Sequence, residues 1–415
     1  MRKVIVVGAG AAGLMAAGRA AELGTEVLLL EKNQQVGRKL AITGKGRCNI
    51  TTAVAPEELQ QGYPGNGRFL HGAFSRFNNQ DTYRFFEDRG LVLQVERGQR
   101  VFPQSGRAEE VVEVLWEYAR SAGVRLLRGV TVKKLLVNSA DEMRVAGVMT
   151  SSGNYYADAV IICTGGLSYP ATGSTGDGYR WVESVGHQVV APRPGLVPLI
   201  VEEDWVQRLQ GLSLKNVRAT AYDNQGKKIN EGFGEMLFTH YGLSGPIILS
   251  MSRDILDHLP QGKVRMTIDL KPALSLEKLD ERLQRDFKQY ARRQFNNALS
   301  GLLPKKLIPV IIELSGIRPD QLCNAITRAE RQALGQCLKS LNLSVYATRS
   351  IKEAIVTAGG VRVKEIDPRT MASRLVQGLY LAGEVIDVDG YTGGYNLQAA
   401  WSTGRLAGES AADPG

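Results

Sequence analysis

Apolar residues near the start of the chain fall in unbroken runs rather than in alternation. Val4 to Val7 form one run and Glu26 to Leu30 carries a second, closed by Glu31; strands buried on both faces of a parallel sheet have this pattern. Between them, Leu14 to Leu23 is rich in Ala and predicts a helix. The turn from strand to helix is Gly8-Ala9-Gly10-Ala11-Ala12-Gly13. In such a unit Gly8 permits a tight turn, Gly10 lets the backbone approach a pyrophosphate and Gly13 lets helix pack on strand, while the helix N-terminus offers N–H groups and partial positive charge. Glu31, eighteen residues beyond Gly13, is placed to accept hydrogen bonds from an adenosine ribose. The unit therefore predicts a dinucleotide site.

Further along, Val124 to Leu127 reads as an adenine-side strand, with short strands following to Met149. Ala159 to Ile162 is another buried run, ending in Cys163-Thr164-Gly165-Gly166, and a Gly-rich stretch from Gly173 to Gly178 leads into a helix from Tyr179 to Val185. Pro192, Pro194 and Pro198 punctuate a domain crossing. Residues 196–270 then alternate apolar and polar in short segments with a turn at Asn224 to Gly226, which predicts a small β-barrel or sandwich. Residues 275–342 read as helical, Ala354 to Val363 as strand again, and Gly378 to Asp387 as a strand closed by Gly383-Glu384, before Gly393-Gly394-Tyr395-Asn396-Leu397 and an Ala-rich helix to Ala407. The expected division is 1–192 and 354–415 for one domain and 193–353 for an insertion, β to about 270 and helical over 271–342. The pattern contains no internal repeat.

Composition narrows the class. The 415 residues, 43% hydrophobic, suffice for two or three domains. Cys48, Cys163, Cys323 and Cys337 stand far apart without CxxC or Cys/His ligand spacing, so neither a disulfide framework nor a metal site is expected and a reducing cytoplasm fits. No apolar run approaches the roughly 18 residues of a membrane span, so no membrane partner is expected. The net charge of +9 is uneven: Lys263 to Lys306 holds eleven Lys or Arg against five Asp or Glu. Inside that window Ser275 to Leu299 predicts an amphipathic helix, with Leu276, Leu279, Leu283, Phe287 and Tyr290 on one stripe. Lys278, Arg282, Arg285, Lys288, Arg292 and Arg293 cover the rest, either as a solvated face or as a platform for a phosphate backbone.

The segments around Gly165-Gly166 and Gly383-Glu384 resemble the middle and C-terminal motifs of two-dinucleotide-binding-domain flavoproteins, with Glu384 in place of the commoner Asp. In those proteins the acid holds the ribitol and the following helix N-terminus faces the flavin pyrimidine edge, which stabilises the anionic reduced flavin. The resemblance implies FAD as the resident cofactor. Longer blocks go further: Gly37 to Asn49, Arg100 to Pro103, Ser168 to Gly178 and Gly234 to Pro246 resemble the BaiN/RdsA-type flavoprotein family, also called aminoacetone-oxidase-like. The implied fold is α/β, a two-dinucleotide-binding, Rossmann-like FAD domain interrupted by an inserted β-barrel-like plus helical region. The implied activities are unlike one another: reduction of activated C=C bonds in steroid-type substrates, oxidation of small aminoketones, and reduction of a uridine in large-subunit ribosomal RNA to dihydrouridine. The basic insertion favours the RNA, with NADH or NADPH as a transient electron donor because no second GxGxxG unit is present. A flavin-bearing scaffold or redox sensor without turnover is the reading from a different class.

Together these readings nominate Gly8, Gly10, Ala12, Gly13, Glu31, Lys32, Arg38, Lys39, Gly44, Gly46, Arg47, Cys48, Asn49, Val132, Thr164, Gly165, Gly166, Gly383, Glu384, Gly393, Gly394, Tyr395, Asn396 and Leu397 for the cofactor. Lys45 and Arg47, on a glycine-rich loop around a thiol, would offer cationic donors to flavin or substrate. The candidates for the proton donor are Cys48, which is equally a packing residue, and His240, in a turn-rich stretch where a structural histidine is the alternative. Thr175 and Asp177 border the flavin or cap a turn, and Arg100, Phe102 and Pro103 wall a pocket or close a hairpin. Arg282, Arg285, Arg292 and Arg293 are the expected RNA contacts.

Overall fold

The computed structural model describes residues 1–138 and 142–413, so residues 414–415 of the expected C-terminal segment lie outside them. Two compact units emerge, Met1–Gly195 with Ile351–Gly415, and Leu196–Ser350. The expected crossings at 192/193 and 353/354 lie three residues from these borders.

In the first unit, β1 (Lys3–Val7) leads to α1 (Ala11–Glu22) and β2 (Glu26–Glu31), and the sheet is completed by β3 (Arg125–Arg128), β4 (Ala159–Ile162) and the strand Leu379–Leu381. The spatial order is Leu379–Leu381, β4, β1, β2, β3, with every neighbour parallel. β1 is central because its aliphatic side chains have nowhere polar to point; Val4 to Val7 are all buried. α1 packs on the C-terminal helix Tyr395–Ala412 through absent side chains: a Cβ on Gly404 would lie 2.4 Å from the Ala12 carbonyl oxygen and one on Gly408 2.4 Å from that of Ala16. The segments by which the chain leaves and re-enters this unit pair with each other, Val189–Gly195 against Val356–Val361.

The second unit is built on a closed antiparallel barrel of β5 (Leu199–Val201), β6 (Ser213–Tyr222), β7 (Lys228–Phe238), β8 (Gly242–Ser244), β9 (Val264–Asp269) and β10 (Leu341–Thr348), ordered β5-β8-β7-β6-β9-β10. Alternation along β6 and β9 is what the pattern predicted. Three local expectations fail. Residues 246–258 form a helix, not strand, because Ile247, Ile248, Met251 and Ile255 recur at helical spacing and Pro246 sits where a helix start tolerates it. The basic helix runs Leu276–Gln289 and stops well short of Leu299; Phe295 N–H donates to the Gln321 carbonyl and Asn296 N–H to that of Pro319, so tertiary bonds replace helical ones. The helical reading to 342 also overshoots, since Leu341, Leu343 and Val345 alternate inward to close the barrel. Among the described residues no helix is long and apolar enough to cross a membrane, and no three His, Cys, Asp or Glu group as metal ligands.

Candidate FAD site

The glycine turn divides its labour in a way that points at a ligand. Gly8 has φ +101°, and a Cβ there would lie 2.6 Å from the Cys163 carbonyl oxygen; one on Gly13 would lie 1.8 Å from that of Gly8. Those two glycines serve the fold. A Cβ on Gly10 would meet no atom within 4 Å, so the fold leaves that backbone open for an approaching group. Ala12 and Gly13 lie in the first turn of α1, with Ala12 against Gly383, where a Cβ would be 2.8 Å away. Glu31 is buried at the end of β2 and accepts from Ala9 N–H at 2.9 Å on one oxygen, and from Asn33 N–H and Nδ2 at 2.8 and 2.7 Å on the other. Val132, also buried, follows Val130, whose N–H donates to the Glu31 carbonyl.

Around this turn several cations are held by the protein itself. Lys32 donates to Thr175 Oγ1 at 2.6 Å and to Asp177 Oδ2 at 2.7 Å, and Arg180 also pairs with Asp177. Burial pushes the Asp177 carboxyl up, but hydrogen bonds from Lys32 and Thr175 and the two positive charges outweigh it and hold it below its ordinary value. Arg38 donates to Asn33 Oδ1 at 2.9 Å. Lys39 donates to Glu384 Oε2 and to Ser168 Oγ, each at 2.6 Å, and Glu384 also accepts from Ser168 Oγ at 2.9 Å and Thr357 N–H at 2.8 Å. Gly166 has to be glycine beneath this network, a Cβ there being 2.3 Å from Thr357 Oγ1. Thr357 and Asn33 escaped the sequence reading, and Ser168 opens a family motif without being nominated for the site; Thr357 Oγ1 accepts from Leu167 and Ser168 N–H across about 190 residues of chain, a separation no local signal bridges.

Burial pushes the Glu384 carboxyl up, and the Lys39 charge together with its hydrogen bonds brings it below the usual carboxylate range. A depressed folded value means the stabilisation is complete above the unfolded value, near 4.3, and is lost as pH falls through the folded one. Lys39→Met should therefore cost about 3 kcal/mol at pH 7, the lower end for breaking a buried pair, and the difference from the parent should shrink progressively as pH falls below about 4. Urea unfolding across that range checks both; a cost unchanged at low pH would deny the carboxylate this role.

The Gly44-to-Asn49 loop is tightly wound. Lys45 and Cys48 lie at φ 60° and 56°, beside Gly44 at 58° and Gly46 at 81°; left-handed non-glycine residues cost on the order of 1 kcal/mol each and gather at functional sites. Arg47 pairs with Glu96 and lies 4.3 Å over the Phe102 ring, with Arg100 5.8 Å from the same ring. Arg100–Pro103 is the middle strand of a small sheet between Thr51–Thr52 and Leu93–Glu96, with Phe102 and Pro103 buried. The Cys48 side chain is enclosed, 0% exposed. Its burial pushes the thiol up to about 12 against a weak opposing bond from Thr43. The packing alternative is the one the geometry favours, because a thiol sealed by protein touches no substrate and gives up no proton at neutral pH.

The loop before the C-terminal helix is cinched by Asn396, whose Oδ1 accepts from Gly390 N–H and whose Nδ2 donates to the Gly390 carbonyl, both at 2.8 Å. Tyr63 donates to the Tyr395 carbonyl at 2.6 Å. Gly394, at φ +96°, has no room for a Cβ, which would be 2.3 Å from the Thr51 carbonyl oxygen, and Gly393 has φ +119°. The first-turn N–H groups of Tyr395, Asn396 and Leu397 follow, without intrahelical partners by geometry. Two buried oxygens, Thr164 Oγ1 and Asn49 Oδ1, have no hydrogen-bond partner, and Gly165 next to Thr164 has φ +71°. An open glycine face, a carboxylate at the ribose position, orphaned polar atoms on the middle and Cys48 loops, and a helix N-terminus fit FAD. His240 lies in the other unit, exposed at the tip of the β7–β8 hairpin, edge-on to Tyr241 at 4.7 Å between ring centroids.

Fold and site together define a class, the FAD-dependent oxidoreductases built on a Rossmann-type domain. The model of the HI0933-like protein Rossmann domain matches residues 2–410, and the chain belongs to that family. It is 33% identical over all of both chains to a 3-dehydro-bile acid delta(4,6)-reductase of Clostridium scindens. It is 34% identical to a ribosomal RNA dihydrouridine synthase of Haemophilus influenzae, with 96% of each chain covered. The Escherichia coli protein of the same name is 31% identical, with 96% of this chain and 95% of that one covered. Among solved structures, 3-ketosteroid delta1-dehydrogenase from Sterolibacterium denitrificans shares the fold over the full length of both chains, with TM-score 0.57 and 14% identity.

Proposed function

We propose that this enzyme reduces a uridine of large-subunit ribosomal RNA to dihydrouridine, with NADH or NADPH docking transiently as the electron donor. Two relatives named for that reaction align along nearly the whole chain, and the observation that carries the reading is the state of the basic segment. Arg285, Lys288 and Arg292 are exposed and have no acidic partner among the described residues, and Arg293 only lies over Tyr290 at 4.7 Å. Arg282 is half-buried and paired with Asp286 at 2.8 Å, so its charge is already matched within the helix. Unmatched cations on an exposed edge neutralise phosphates and release counterions.

Hydride for an electron-poor ring carbon, C6 of uridine, is the chemistry that reduced FAD would supply when bound, and a proton at C5 would complete the saturation. The Gly10 backbone and the start of α1 would hold the pyrophosphate, Glu31 the adenosine ribose, and the start of the C-terminal helix the pyrimidine edge. With Cys48 enclosed, His240 is the side chain assigned to deliver the proton. The base has to leave its stack to be reached, and the cations hold the flanking backbone while it does so.

Nucleoside mass spectrometry of ribosomal RNA tests this. Cells lacking the gene should lose one dihydrouridine, carrying uridine, lighter by two hydrogens, in its place; the parental gene should restore it, and Arg285→Gln/Arg292→Gln/Arg293→Gln should restore it poorly. Purified, that triple variant should keep its flavin and flatten the log–log salt dependence of RNA binding by about 2, from roughly 0.7 per lost phosphate contact on single strands. A second reading, reduction of a conjugated C=C bond in a steroid-like molecule, is favoured by the full-length match to the bile acid reductase. It expects unchanged RNA and nicotinamide-dependent loss of enone absorbance instead.

A further inference from the structure

The basic edge of the second unit runs into a cleft, and we propose that this cleft seats an unstacked base of the RNA strand, separate from the uridine that reacts. The inference rests on the RNA reading above. The cleft is open to solvent and has a volume of about 730 Å³, within the roughly 300–1,000 Å³ of small-molecule pockets. Its floor and walls are Ile308, Ile312, Ile317, Pro309 and Pro319, the two prolines being exposed. Rigid, flat, apolar walls suit a planar ring better than a flexible chain.

Charge says what kind of ring. Glu313 at the rim is already matched by Arg208 at 2.6 Å, and Arg318 by Asp320 at 2.6 Å. Lys305 is exposed and has no partner among the described residues. The wall is also stitched to the cationic turn: Asn296 N–H donates to the Pro319 carbonyl at 3.2 Å, and Cys323 N–H to the Arg293 carbonyl at 3.0 Å. Lys305 thus lines an apolar slot whose wall shares one hydrogen-bonded framework with the backbone of the exposed Arg292–Arg293 turn, a pairing of phosphate track and base seat that suits single-stranded nucleic acid. A peptide of acidic residues alone would satisfy the cations but brings no planar ring for the slot.

The test compares a fluorescent oligouridylate of about 12 nucleotides, a length within the usual site sizes, with an abasic ribose-phosphate of equal length. The full-length protein should bind the oligouridylate about fivefold more tightly, the low end for base stacking because the walls are not aromatic. Pro309→Gln, at a helix start that tolerates the change, and Pro319→Gln on the opposite wall leave the charge alone; each should erase that preference while binding the abasic strand as the parent does. Equal binding of both probes by the parent, falling with salt, would overturn the base seat and leave the phosphate track standing. No binding of either probe would overturn the RNA reading itself. Tighter binding of an equally long polyglutamate than of the oligouridylate at the same ionic strength would overturn the proposal in favour of an acidic peptide.

Discussion

Gly10→Val is expected to purify folded but colourless, whereas the parent is yellow and releases FAD rather than FMN on denaturation. The expectation is sharp because a Cβ at Gly10 meets no protein atom within 4 Å. Added methyl groups therefore cost the fold little, and their whole clash falls on the pyrophosphate. A loss of affinity of at least about a hundredfold, on the order of 3 kcal/mol, should follow. FMN has no adenosine half for Glu31 to hold, which is why the released flavin should be the dinucleotide. Gly13→Val supplies the contrast: its Cβ would lie 1.8 Å from the Gly8 carbonyl oxygen, so that variant should fail to fold. Circular dichroism with the flavin-to-protein absorbance ratio separates the two cases, and a fully loaded Gly10→Val protein would remove the pyrophosphate from this turn.

His240→Ala should slow saturation of the substrate double bond by about 10²- to 10⁴-fold, the usual cost of losing a general acid. Single turnover with prereduced flavin isolates the proton step from cofactor loss. Cys48→Ala should stay within about threefold of the parent in rate, since the thiol is enclosed and raised to about 12, though its missing sulfur should lower stability by about 1 kcal/mol. If His240→Ala keeps the parental rate with FAD bound, no side chain nominated here is the acid and a water must serve.

What could be read from sequence was what depends on neighbours along the chain. β1, α1 and β2 are adjacent elements whose burial pattern and glycine spacing are complete within about thirty residues. The barrel strands announce themselves by alternation, as β9 does with Val264, Met266 and Ile268 inward. The helical readings went astray where distant chain intervened: Phe295 and Asn296 give up helical bonds for the 319–321 segment, and Leu341 to Thr348 owes its strand form to the open edges of β5 and β9.

The same division runs through the site. By itself the sequence determined a glycine-turn dinucleotide fold, a basic insertion and the residues flanking each turn, because propensity, φ requirement and periodicity are local properties. Only the tertiary structure decided which of those residues are available. It took Lys39 and Glu384 into one network with Ser168 and Thr357, tied Lys32 to Asp177 and Arg282 to Asp286, and enclosed Cys48. It left open the face of Gly10 and the charges of Arg285 and Arg292. Burial and charge pairing depend on what packs from afar, and a side chain's chemistry is decided by those contacts rather than by its place in a motif.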